Sequence, residues 1–312
     1  MANLTTRALR WAAPKKRRQR RVGRIVRAAG PFLPHRDPPT EPVFILGAPR
    51  SGTTVLFETL DRSPSLGSLG RESGVLWDMF HRIEDTGWSS HAVRPEEIAE
   101  REPKVLYWTI ERIAGDRRYL DKLPRNCLRV PYLDRLFPDA SFVFIRRDGR
   151  ATMSSMLDGW RSGSRFGARG LRLPVTLSIE GYEGTRWKFL MPPGWREYAT
   201  GKTLAEVCAF QWVAANEAIL AARDEIGSDR WFEISYESLV ESPTKSIERL
   251  LDGLGLPRDT AVLSHAAELD RHLTKTVTVP RPDKWRKDAL EIEPVLPLIR
   301  PTMERLGYTI ED

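Results

Sequence analysis

Eight residues, Gly47-Ala-Pro-Arg-Ser-Gly-Thr-Thr54, follow directly on the apolar run Val43–Leu46 and lead into Val55, Leu56, Thr59 and Leu60 at helical spacing. An apolar strand, a glycine-bearing turn and a helix start, in that order, build an anion site. The first N–H groups of a helix have no partner within it, and its dipole favours negative charge there. Arg50, Ser51, Gly52, Thr53 and Thr54 are therefore the candidate phosphate ligands. The pattern departs from the triphosphate loop G-x-x-x-x-G-K-[ST], which needs a lysine where this chain has Thr53. Its cation stands earlier, at Arg50, and the missing lysine argues against ATP.

A second candidate anion site lies in Phe142-Val-Phe-Ile-Arg-Arg-Asp-Gly-Arg-Ala-Thr-Met-Ser-Ser-Met156. An apolar strand there delivers Arg146 and Arg147 at its carboxyl end, where open α/β sheets bind ligands. Arg147 offers a planar fork of donors suited to phosphate, and Ser155, in the second turn of the next helix, adds a hydroxyl. Taken alone, this segment reads equally as a strand–turn–helix whose arginines are solvated or paired with Asp148.

The elements that must position these groups follow from the pattern of apolar runs. Short apolar strands at residues 43–46, 119–122, 141–145 and 231–234 alternate with helical periodicities at 95–113, 126–137, 149–160, 204–222 and 243–251. That alternation predicts an α/β, P-loop-like three-layer fold with a central parallel sheet flanked by helices. Residues 1–40 read as a basic, proline-rich N-terminal extension and 41–312 as one catalytic domain. Residues 159–202 lack sustained periodicity and read as a substrate-facing insertion. They carry Trp160, Phe166, Tyr182, Trp187, Phe189, Trp195 and Tyr198 with eight basic and three acidic residues. Any one of those aromatics could equally serve only to pack the loop.

The two phosphate segments together resemble the sulfotransferase superfamily, which uses 3′-phosphoadenosine 5′-phosphosulfate (PAPS) as donor. Gly47–Thr54 is similar to that family's 5′-phosphosulfate loop. Arg147-Asp-Gly-Arg-Ala-Thr-Met-Ser-Ser155 is similar to its 3′-phosphate motif, in the form found in tyrosylprotein and many bacterial sulfotransferases. Asp121-Lys-Leu-Pro-Arg125, Tyr236-Glu-Ser-Leu-Val-Glu-Ser-Pro243 and Lys284-Trp-Arg286 resemble further family segments. The resemblance implies transfer of a sulfuryl group to an acceptor hydroxyl or amine, with Arg50 and Lys122 catalytic beside a carboxylate base. Glu72 is the expected base, with Asp78 and His81 as fallbacks. Arg50, Ser51, Gly52, Thr53, Thr54, Arg147, Ser155 and Tyr236 would bind PAPS, and no metal is expected.

Composition bounds the alternatives. Residues 1–36 carry 11 Lys and Arg and no acid, so the remainder holds 38 basic and 42 acidic side chains and the tail alone makes the chain basic. A basic amphipathic helix within residues 7–27 suits an anionic membrane surface, and less well nucleic acid; a solvated extension is the plainer reading. Neither a signal-type leader nor a membrane span is expected, and Cys127 and Cys208 read as small core residues, which together suggest a cytoplasmic setting, peripheral at the inner membrane face. The acceptor is open among carbohydrate, lipid, small metabolite and peptide. Two rival functions remain at this point: a P-loop kinase of a small molecule, and a non-catalytic, membrane-associated nucleotide-binding protein.

Overall fold

The computed structural model of the chain describes residues 16–162, 170–269 and 283–309. In order, its principal elements are α1 (Lys16–Ala29), β1 (Val43–Leu46), α2 (Thr53–Leu60), β2 (Leu66–Gly67), α3 (Gly74–Trp77) and α4 (Glu102–Ala114). Next come β3 (Arg118–Lys122), α5 (Val130–Leu136), β4 (Ser141–Arg146), α6 (Gly149–Arg161), β5 (Leu171–Glu180), β6 (Tyr182–Trp187), β7 (Thr200–Thr203) and α7 (Leu204–Glu225). The chain continues through β8 (Trp231–Ser235), α8 (Tyr236–Glu241), α9 (Pro243–Gly253), α10 (Thr260–Ala267), α11 (Ala289–Ile292) and α12 (Leu296–Arg305).

Five parallel strands form the central sheet in the order β2-β3-β1-β4-β8. Alternate side chains of a strand point to opposite faces, so one four-residue strand feeds two cores. Phe44 and Leu46 enter a core with Trp77, Ile110, Phe142, Phe144, Met153 and Trp212. Val43 and Ile45 enter the other, with Leu56, Leu120, Val143, Ile234, Leu239 and Leu251. All four β1 residues are buried, which is why the strand reads as an unbroken apolar run rather than an alternating one. Each such side chain contributes roughly 1.5–3 kcal/mol on full burial. The expected three-layer α/β architecture is what the chain adopts.

Three local expectations need correction. The helix foreseen over 95–113 is a single 3₁₀ turn, Pro95–Glu97, followed by α4 beginning at Glu102 with Pro103 in its first turn. Proline fits the first turn of a helix and not its interior, so it marks the later start. The stretch 126–137 divides into a 3₁₀ turn at Pro124–Leu128 and α5. The described residues of the 159–202 region are not irregular: β5 pairs antiparallel with β6 and parallel with β7. Its aperiodic appearance comes from a register shift between Arg172 and Leu177 and glycines at 181 and 184 with positive φ. Residues 163–169, Phe166 among them, lie outside the described residues. Trp160, Trp187 and Trp195 are buried, with Trp187 in edge-to-face contact with each of the other two. By length and composition α7 could cross a membrane, but 61% of its apolar window is buried in the domain, which makes it a core helix.

Candidate active site

Strand order builds the site. The carboxyl ends of β3, β1, β4 and β8 stand side by side, so the segments that follow them share one rim. They carry Lys122, the Arg50 loop, Arg147 and Tyr236 respectively.

The loop after β1 turns through Ser51 N–H donating to the Ala48 carbonyl at 3.1 Å, with Arg50 at φ 73° and Gly52 at φ 103°. A Cβ on Gly52 would lie 2.4 Å from the Tyr236 ring, so only glycine lets the aromatic close against the loop. From below, the Cys127 thiol donates to the Gly47 carbonyl at 3.0 Å and faces the Gly47 N–H at 3.4 Å. Burial pushes that thiol up to about 12, so it holds the loop as a neutral group.

The two phosphate segments touch directly. Arg147 Nη1 donates to the Arg50 carbonyl at 2.8 Å, and Arg50 Nε donates to Ser155 Oγ at 3.2 Å. Arg147 also lies over the Tyr236 ring, 4.2 Å from its centroid. Burial, and then its neighbour Arg147, hold the Arg50 guanidinium below its usual range; burial does the same to Arg147. Lys284 completes the cluster: burial lowers it, Asp158 opposes that shift, and Arg147 and Arg50 add to it. Arg147 Nε and Ser51 Oγ are buried and have no hydrogen-bond partner among the described residues. Crowded cations with donors left over are a site that a polyanion would stabilise.

Beside this cluster, Lys122 Nζ donates to Glu72 Oε1 at 2.8 Å and to Thr54 Oγ1 at 3.0 Å. Lys122 is 3% exposed and Glu72 54% exposed. A buried cation thus joins the loop after β1 to a carboxylate open to solvent. Of the fallback bases, Asp78 pairs with Arg125 at 2.6 Å and His81 with the buried Glu102 at 2.8 Å.

A family profile described as the sulfotransferase family matches residues 42–174 and 185–260 of the chain. The chain belongs to the sulfotransferase family. Protein-tyrosine sulfotransferase 1 of Danio rerio is 27% identical over 303 residues, covering 89% of this chain and 74% of the relative. Nodulation protein NoeE of Sinorhizobium fredii is 28% identical over 228 residues, covering 68% of this chain and 49% of the relative. Among solved structures, the sulfotransferase domain of the curacin biosynthetic pathway superposes with a TM-score of 0.57 at 18% identity. It covers 88% of this chain and the whole of that domain. Sulfotransferase STF9 of Mycobacterium avium gives 0.54 at 17% identity, over 95% of this chain and 83% of its own. These two likenesses speak to the shared fold.

Within this sulfotransferase, sequence reasoning left three residues without a role. Asp148 caps α6, accepting from the Arg150 and Ala151 N–H groups at 2.8 and 3.2 Å, which settles its place beside Arg147. Its position just before a helix start was the available signal. Lys284 was noticed only as part of a closing segment, and nothing local shows that it approaches Arg50 and Arg147. Asp121, buried beside Lys122, accepts from Tyr119 Oη, Asn126 Nδ2 and Trp77 Nε1 at 2.8, 2.9 and 3.3 Å. It stands in the Asp121–Arg125 segment, where only its neighbour Lys122 was given a role.

Proposed function

We propose that this sulfotransferase moves a sulfuryl group from PAPS, in line, to an acceptor hydroxyl, with Glu72 as the base. The S–O bond to the donor phosphate breaks as the acceptor oxygen bonds sulfur, and the acceptor proton passes to Glu72. Lys122 and Arg50 stabilise the charge that grows on the leaving oxygen, where fixed cations act most strongly on rate. The observation that supports this reading is the Lys122 bridge, 2.8 Å to Glu72 and 3.0 Å to Thr54, which links Glu72, Lys122 and the Gly47–Thr54 loop in one chain of contacts. Arg147, Ser155 and Lys284 suit the donor's second phosphate, and the unpaired Arg147 Nε and Ser51 Oγ fit a doubly phosphorylated nucleotide. A kinase reading gains nothing from this site: Thr53 stands where the triphosphate lysine would be. Relatives named for protein tyrosine make a tyrosine-bearing peptide the first acceptor to try.

Transfer from labelled PAPS to such a peptide and to fractionated cell extract tests the proposal. Glu72→Gln is expected to lose about 10²–10⁴ in rate, the usual contribution of a positioned base, while still binding the product nucleotide PAP. Full activity in that variant would remove Glu72 as the base. Absence of transfer to any acceptor, with no PAP binding, would remove the reading itself.

A further inference from the structure

We propose that the face made by α1 and the turn after it docks on an anionic lipid bilayer.

The helix is a fixed part of the surface. A Cβ on Gly23 would lie 3.1 Å from Met79 Cγ, and one on Gly30 would lie 3.0 Å from Val105, so both glycines sit tight against the domain. Arg27 Nη1 donates to the Met79 carbonyl at 3.4 Å and its guanidinium lies over the Phe80 ring. Val26 and Leu33 pack on the main core, and Lys104 Nζ donates to the Pro31 carbonyl at 3.3 Å.

What this docking leaves outward is chemically specific. Ile25 is 58% exposed and Phe32 89% exposed, with Arg24 and Ala28 exposed beside them. Large apolar side chains next to arginines suit a headgroup–acyl boundary: the apolar groups enter and the guanidinium groups stay with phosphate. Backbone of α1 continues N-terminally through Arg21, Arg20, Arg18 and Arg17. Residues 1–36 hold 11 Lys and Arg without an acid, whereas the rest of the chain carries more acid than base. The excess of positive charge therefore lies at this end of the chain.

A cavity of 760 Å³ opens along the same helix, lined by Arg24, Arg27 and Arg101 with Phe80 and the single carboxylate of Glu100. Guanidinium groups over an aromatic wall suit a phospholipid headgroup. Ile25 and Phe32 together give an apolar pair that an acyl boundary can bury, which favours a lipid surface. Because α1 packs on Met79 and Phe80, in the segment that continues from Glu72, attachment would hold membrane and base-bearing loop in one packed unit.

Co-sedimentation of the full chain with vesicles tests this, comparing phosphatidylcholine alone with phosphatidylcholine plus phosphatidylglycerol. Binding is expected only to the anionic vesicles, weakening with salt. Paired substitutions Ile25→Asp and Phe32→Asp should reduce partitioning at least about tenfold, and Arg24→Glu by about fivefold or more. All three positions are exposed, so PAP-induced thermal stabilisation should be unchanged and reports that the variants fold. Equal binding to neutral vesicles, no binding to either, or undiminished binding by the paired variant would overturn the proposal. So would single-stranded RNA that binds the chain more tightly than the anionic vesicles do.

Discussion

Ser155 faces two ways. Its oxygen accepts from Arg50, and its own O–H is placed to donate to the anion that the proposed function gives to Arg147. Under the proposed reaction, recognition of the donor's distal phosphate and placement of Arg50 would share one hydroxyl. Ser155→Ala is expected to weaken PAP binding roughly 10–100-fold, the value of a hydrogen bond to a charged group, and to slow transfer at saturating PAPS as well. Equilibrium titration with PAP and saturation kinetics separate the two effects. Asp121 acts one residue away from Lys122. Its buried carboxylate gathers Tyr119, Trp77 and Asn126, and Trp77 Nε1 also donates to Ser73, the residue after Glu72. It therefore positions both members of the Lys122–Glu72 pair. Asp121→Asn should cut kcat while PAP affinity holds, because an amide would set N–H against N–H at Asn126. The exchange Asp121→Asn with Asn126→Asp, which restores a carboxylate to the network, should recover part of the rate. Recovery of stability without recovery of rate would mean that Asp121 serves folding alone.

At the scale of elements, the site depends on joints that carry no chemistry. Asp148 caps α6, which fixes the turn between Arg147 and Ser155; such a cap contributes about 1 kcal/mol. The β5–β7 sheet is tied back through His91, whose N–H donates to the Met191 carbonyl and whose Nδ1 accepts from the Met191 N–H, both at 2.8 Å. Burial, with Arg125 and Arg129 near, holds His91 well below its ordinary 6.5, so the folded protein keeps it neutral. On unfolding below pH 6.5 the imidazole gains a proton that the native state does not take. The unfolded state then binds more protons, and stability falls as pH drops through and below that value. His91→Asn, keeping an acceptor near Met191, should flatten the slope of melting temperature between about pH 6.5 and 5. An unchanged slope would mean that other groups dominate. The existence of this tie was not readable from residues 159–202, because the pairing partner of Met191 lies 100 positions away.

For the molecule as a whole, donor binding should register as global stability, since the site joins the ends of four core strands. PAP at 100 times its Kd should stabilise the fold by about 2.7 kcal/mol, seen as a raised melting temperature, while magnesium–ATP at equal concentration should give little shift. An equal shift with both would remove the distinction between donor classes. Local order explains what the chain disclosed in advance. An apolar strand, a turn and a helix start are contiguous in Val43–Leu60 and again in Phe142–Met156, an order that marks each as a candidate anion site before any contact is known. Both motifs, Lys122 at a strand end and the α/β class were therefore readable in one dimension. Which groups meet was not. That β1 lies between β3 and β4, with β8 beyond, places Lys122 at Thr54, Arg147 at the Arg50 carbonyl and Tyr236 under Gly52. Parallel pairing joins strands distant in sequence, and its order is set by how two buried faces pack rather than by any residue in the loops. Sequence by itself determined the two loop motifs and the fold class; only tertiary packing decided that those motifs form one cationic cluster with a reachable carboxylate at its edge.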